Sequence, residues 1–139
     1  MTAQQRLLLV DDIPDYLDVL ALYLPSSVKT REAASALEAR TALDTERFDA
    51  AVIDIKLDEN DPDNTEGLEL LRWIKERHPG LPVVMISAYR QFEFETESLA
   101  SGAEYFVRKP INPDEIVEVI GKVLERGAAH GKGGTACNC

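Results

Sequence analysis

Cysteine is nearly absent: the 139-residue chain has two, Cys137 and Cys139, both within its last three positions. Thiols placed there cannot staple a core, which excludes a disulfide-built scaffold and points to a reducing, cytosolic setting. Aromatic residues are also few, at 6% with one tryptophan. Basic residues are in deficit, 15 Lys and Arg against 25 Asp and Glu, for a net charge of −10. Such a chain repels a phosphate backbone over most of its surface, so direct nucleic-acid binding is not expected. No apolar run approaches the roughly 20 residues that span a bilayer. The N-terminus, Met1 to Arg6, runs straight into Leu7-Leu8-Leu9-Val10 and then two acids, unlike a secretory leader. Neither a membrane protein nor a secreted one is expected. What is present is ordinary globular material, 45% hydrophobic and 29% charged, of a length that suits one domain.

Leu7-Leu8-Leu9-Val10 is a continuous apolar run that stops at Asp11-Asp12, the pattern of a strand buried on both faces. Leu17, Leu20, Ala21 and Leu24 recur at helical spacing, with Pro14 in the first turn and Pro25 ending the helix. Val28 to Ala33 is weakly strand-like. Ser35 can cap a helix whose inward stripe reads Leu37, Ala39, Ala42 and Leu43. Phe48 to Ile53 is a second clear buried strand, ending at Asp54. Leu68, Leu71, Ile74 and Lys75 mark a helix closed by Pro79-Gly80. Pro82 to Ile86 is a third buried strand, ending at Ser87-Ala88. A less apolar helix covers about Gln91 to Ala100 and stops at Gly102, and a short strand from Tyr105 to Val107 runs into Lys109-Pro110. After Asn112-Pro113, a cap with proline in the first helical position, Ile116, Val117, Ile120 and Leu124 form a last inward stripe.

The order is βα repeated five times, with strands too apolar for a wet face, which predicts a parallel sheet covered by helices on both sides. Ligands of such sheets bind beyond the carboxyl ends of the strands. Four of the five strands deliver polar residues there: Asp11 and Asp12, Asp54, Ser87, and Lys109. Taken singly, each has an ordinary explanation, since acids and serines after strands are most often caps and a lysine is most often a solvated charge. Joint placement at one sheet edge argues otherwise. Three carboxylates brought together repel one another unless a cation intervenes, and a hard, oxygen-rich site suits Mg²⁺. Lys109 and Ser87 add two donors, which with a metal cradle phosphoryl oxygens. A carboxylate among such neighbours can itself be the nucleophile and form an acyl phosphate.

These residues, in the stretches Leu8-Leu9-Val10-Asp11-Asp12, Ala51-Val52-Ile53-Asp54-Ile55, Gly67-Leu68-Glu69-Leu70-Leu71, Val84-Met85-Ile86-Ser87-Ala88, Gly102-Ala103 and Lys109-Pro110, resemble the receiver domain of two-component response regulators, of the chemotaxis-regulator kind. The resemblance covers about residues 6 to 126. It implies a flavodoxin-like, doubly wound (βα)5 fold with sheet order 2-1-3-4-5. The receiver unit would occupy 1–126, and 127–139 would form a flexible Gly-rich tail. It implies that Asp54 is the phosphoacceptor, that Asp12 and Asp54 bind Mg²⁺ directly with the Lys56 backbone carbonyl, and that Asp11 acts through water. Ser87 would follow the phosphoryl group, Lys109 would pair with it, the Lys109–Pro110 peptide bond would be cis, and Phe106 would be the switch aromatic. The phosphoryl group would come from a sensor histidine kinase or histidine phosphotransfer protein. The switched surface would be the fourth helix, fifth strand and fifth helix, read by a downstream protein target or an output domain. The only chemistry expected is self-phosphorylation and self-dephosphorylation rather than enzymatic turnover. The oligomeric state stays open, a homodimer included.

The chain departs from the family pattern after Asp54, where Leu57-Asp58 stands in place of the common Met-Pro and Gly67 follows Asp54 by 13 residues, later than usual. The extra stretch, Asp58 to Glu66, carries five acids and reads as a solvated, disordered insertion. The alternative is a lid that alters phosphoryl access. Phe106 replaces a frequent tyrosine, and Lys56 and Tyr89 occupy the positions with which the family tunes dephosphorylation. Two rival readings fare worse. An aspartyl-nucleophile phosphatase of the haloacid-dehalogenase kind needs Asp-x-Asp, whereas Asp11-Asp12 are adjacent and Asp54-Ile55-Lys56 lacks a second acid. A pseudo-receiver that serves only as an interaction module has no reason to keep all five site residues. Trp73 reads as packing, His78 as a helix-terminal charge, and Cys137 and Cys139 as too few ligands for a metal.

Overall fold

The computed structural model describes residues 4–58, 60–89 and 92–133. The chain alternates β1 (Gln5–Val10), α1 (Pro14–Leu22), β2 (Val28–Ala33), α2 (Ala36–Thr45), β3 (Ala50–Asp54), α3 (Glu66–Arg77), β4 (Val83–Ser87), α4 (Phe92–Ala100), β5 (Tyr105–Arg108) and α5 (Pro113–Gly133). The five strands form one parallel sheet in the order β2-β1-β3-β4-β5. This is the flavodoxin-like arrangement that the strand patterns and the resemblance led us to expect.

Strand alternation divides the core into two layers. Leu8, Val10, Ala51, Ile53 and Met85 pack with Ala39 and Leu43 of α2 and Leu68, Leu71 and Ile74 of α3. Leu7, Leu9, Val52, Val84 and Ile86 pack with Leu20 of α1 and Ile116, Ile120 and Val123 of α5. Both faces of β1, β3 and β4 are therefore dry, which is why their sequences read as unbroken apolar runs.

Local signals set the helix starts. Ser35 accepts a hydrogen bond from the Glu38 N–H at 3.1 Å, and Asn112 accepts from those of Asp114 and Glu115 at 2.9 and 3.2 Å. Several expectations need correction. Helix α1 ends at Leu22, not Leu24, because the residue before Pro25 is disfavoured in helical conformation and the chain closes instead through Tyr23 N–H to Leu20 O at 3.1 Å. Leu37 does not belong to the inward stripe of α2: it is 74% exposed, since residues two apart such as Leu37 and the buried Ala39 do not share a helix face. Strand β1 begins at Gln5, whose side-chain amide donates to Leu124 O at 3.1 Å. Helix α5 runs on to Gly133, beyond the receiver boundary expected at 126, so the expected tail begins in helix. Cys137 and Cys139 lie outside the described residues. Trp73 packs against the α2–α3 layer with its ring 5.6 Å from that of His78.

Candidate functional site

Parallel register lines up the polar residues at one edge. Val10 pairs with Ile53, which sets Asp11 alongside Asp54, and Asp54 pairs with Ile86, which puts Ser87 one residue further on. Ser87 in turn pairs with Arg108, so that Lys109 emerges beside it, and the Lys109 N–H donates to Ser87 O at 2.9 Å. Asp11, Asp54 and Ser87 are buried, with at most 2% of their surface exposed.

The Lys109 ammonium joins two of the acids, donating to Asp54 Oδ2 at 2.8 Å and to Asp11 Oδ2 at 3.1 Å. Asp11 Oδ1 accepts from the Ile13 N–H at 3.0 Å, and Asp54 Oδ1 from the Lys56 N–H at 3.3 Å. Carboxylate oxygens of Asp11, Asp12 and Asp54 lie within 4.8 Å of one another, a set that can hold a metal ion. The Lys109–Pro110 peptide bond is cis. Phe106 sits opposite Met85 on β4, half-buried against the α2–α3 layer, with the Arg108 guanidinium 5.3 Å from its ring centre. The structure thus gathers Asp11, Asp12, Asp54 and Lys109, with Ser87 next to Lys109 at the adjoining strand ends and Phe106 on β5 one strand from Met85.

Burial, then the charge of Asp11, pushes the Asp54 carboxyl up to about 7, and the ion pair with Lys109 offsets this only in part. Burial alone would lower Lys109, but Asp54 and then Asp11 outweigh it and hold the ammonium above its ordinary value. The consequence for stability is directional. Between the ordinary carboxylate range and about pH 7 the folded chain keeps a proton on Asp54 that the unfolded chain releases. Unfolding free energy should therefore fall as pH rises through that window, by about 2–4 kcal/mol. Lys109 contributes nothing to this slope, because its stabilisation is lost only as pH climbs from the ordinary lysine value through its raised one, far above this window. Denaturant unfolding at pH 5 and pH 8 with chelator present measures the slope, and Asp54→Asn should flatten it. An equal slope in both proteins would show that Asp54 is not the titrating group.

The structure also brings in contacts that the sequence did not point to. Asn64, 8% exposed, accepts from the N–H groups of Leu57 and Glu66 at 2.9 and 3.0 Å. The Tyr89 hydroxyl lies 2.8 Å from both Pro62 O and Asn64 O. The described part of the insertion is thus folded rather than disordered, as polar anchors replace the apolar ones it lacks. The Asp61-Pro62-Asp63-Asn64 run carried a turn signal, but nothing in it named Tyr89 as partner.

Comparison with known proteins shows the family. Residues 7–121 match the family model described as "Response regulator receiver domain". The chain belongs to that family. Like other receiver domains it is a module of two-component signal transduction, and response regulators of this family interact with histidine kinases. The receiver is 36% identical over 123 residues to the response regulator protein PilR of Pseudomonas aeruginosa, covering 88% of this chain and 26% of the relative. It is also 36% identical over 120 residues to the nitrogen assimilation regulatory protein NtrX of Azorhizobium caulinodans, covering 86% and 26%. The receiver thus spans about a quarter of the length of these curated relatives. Among solved structures, a CheY-like receiver domain protein from Methanospirillum hungatei superimposes with a TM-score of 0.80 at 32% identity, covering 92% of this chain and 99% of that one. No helix among the receiver's described residues is long and apolar enough to cross a membrane.

Proposed function

We infer that the receiver unit, spanning residues 1–126, accepts a phosphoryl group on Asp54 from a phosphohistidine of a sensor kinase or phosphotransfer protein. The observation that carries this is the Lys109 ammonium joining Asp54 and Asp11 at 2.8 and 3.1 Å on a buried strand edge. An Asp54 carboxylate oxygen attacks phosphorus, the bond to the histidine nitrogen breaks, and the departing imidazole keeps the electron pair. Lys109 is placed to neutralise charge on the transferred oxygens, and the Ser87 hydroxyl to donate to one of them.

The donor set of three hard carboxylates fits Mg²⁺, which Asp12 and Asp54 would hold directly, Asp11 through water, with the Lys56 carbonyl completing the protein ligands. When bound, the ion would supply charge neutralisation for the incoming phosphoryl oxygens. Asp12→Ala is expected to weaken Mg²⁺ binding by about 100-fold and Asp11→Ala by about tenfold, since a direct ligand contributes more than one acting through water. Calorimetric titration with Mg²⁺ checks the order; unchanged affinity in both variants would remove the acidic pocket as the metal site.

Phosphorylation would then draw Ser87 toward Asp54, let Phe106 fill the vacated space, and alter the surface of α4, β5 and α5. That surface would meet a downstream protein or an output domain. Incubation with acetyl phosphate and Mg²⁺ followed by intact mass tests the reading. A gain of one phosphoryl group is expected, and no gain would sink it.

A further inference from the structure

The stretch 58–66 lies beside Asp54 and carries five acids without a large apolar side chain. Burial cannot hold such a segment in one shape. Its described residues are instead built from turns, with the Asp61 N–H donating to Asp58 O and the Asn64 N–H to Asp61 O, both at 3.1 Å. The Asp58 and Asp61 carboxylates accept from the N–H groups of Asn60 and Asp63 at 3.0 Å. Asn64 closes the base through the Leu57 and Glu66 N–H groups.

One more anchor crosses from the neighbouring strand end. The Tyr89 hydroxyl is 2.8 Å from Pro62 O and from Asn64 O and can donate to one of them at a time. The Tyr89 N–H donates to Ser87 Oγ at 2.9 Å, and its carbonyl accepts from Arg108 Nη1 at 3.2 Å. Its ring stacks on Phe94 of α4 with centroids 4.9 Å apart and planes at 29°. Tyr89 therefore joins the insertion, the Ser87 hydroxyl, α4 and the end of β5.

We propose that the insertion is a tether that grips the β4–α4 connection through the Tyr89 hydroxyl and opposes the movement of Ser87 toward a phosphoryl group. The proposal rests on Asp54 as the acceptor. Ser87 and Tyr89 are two residues apart and directly bonded, so Ser87 cannot shift far while the Tyr89 ring is held at its far end. One neutral hydrogen bond shifts such an equilibrium by about 2- to 10-fold, so the tether sets a threshold and does not block switching.

The test uses beryllium fluoride with Mg²⁺ as a phosphoryl mimic, its titration followed by amide chemical shifts across α4, β5 and α5. Tyr89→Phe keeps the ring and its stacking and removes only the hydroxyl. Its midpoint is expected at about 2- to 10-fold lower beryllium fluoride than the parent's. Asn64→Ala, which loosens the other end, should lower the midpoint similarly, and the double variant no further than either single change. An unchanged or higher midpoint in Tyr89→Phe overturns the tether, also where thermal stability falls, since that would leave the bond a merely structural role. Additive effects in the double variant overturn it as well. A parent that takes no phosphoryl group from acetyl phosphate and gives no response to the mimic overturns the Asp54 reading and the tether with it. A parent that takes the phosphoryl group normally, with a failed Tyr89→Phe effect, isolates the fault to the tether.

Discussion

Asp54→Asn is expected to reduce phosphoryl incorporation from a small phosphodonor to background, a loss of at least about 100-fold. The amide is nearly isosteric with the carboxylate, yet its oxygen carries no charge and its nitrogen no available lone pair, so it cannot form the acyl phosphate. The fold should survive. Lys109 keeps Asp11 as a partner at 3.1 Å, and removal of a carboxyl that burial and Asp11 push up to about 7 relieves a cost at neutral pH. Intact mass after incubation, read beside an unfolding curve, separates lost chemistry from lost structure. Equal phosphorylation of variant and parent would show that another group, Asp11 or Asp12 first, is the acceptor.

Gly67→Ala should produce the largest structural effect, for a reason confined to one atom. A Cβ built on Gly67 would lie 2.0 Å from Asp54 O and 2.7 Å from the Ile55 Cα. Both are backbone atoms, at the end of a strand whose flanks are buried and hydrogen-bonded, so neither can yield as a flexible side chain would. Gly67 is also bound at this spot, its N–H donating to Ile55 O at 2.8 Å. Relief requires α3 to move away from β3, with an expected cost of about 3 kcal/mol and a displaced Asp54. Denaturant unfolding measures the first and phosphoryl incorporation the second. Gly121→Ala is the matched control, since its Cβ would meet nothing within 4 Å. It should stabilise α5 by about 0.5–1 kcal/mol. Parental stability in Gly67→Ala would mean that the start of α3 slides freely along β3.

The sheet and its edge were legible because the strands are buried on both faces. Leu7 to Val10 and Pro82 to Ile86 have no polar residue to interrupt them, so the first polar residue after each marks where the strand leaves the core. In a parallel sheet all such points fall on one edge, and Asp11, Asp12, Asp54, Ser87 and Lys109 could be grouped without coordinates. Local periodicity was less reliable where burial was partial: Leu37 fits a helical stripe by type, but it is exposed to solvent while Ala39 and Leu43 pack into the core.

What the sequence determined by itself was thus the alternation of five strands and five helices and the chemistry of the strand ends, because both follow from residue type and order along the chain. Only the tertiary structure decided how far Asp54 is raised, since that depends first on how deeply the end of β3 is buried and then on β1 lying next to β3 and delivering Asp11 beside it. It alone decided that nothing larger than glycine fits at residue 67, a matter of how closely α3 approaches β3. The insertion shows the same limit. Its acidic composition argues for disorder, and beyond its own turns it is held by a hydroxyl 25 residues downstream that reaches it because β3 and β4 are neighbours in the sheet. Such contacts depend on which elements meet in space, and no local pattern of residues encodes them.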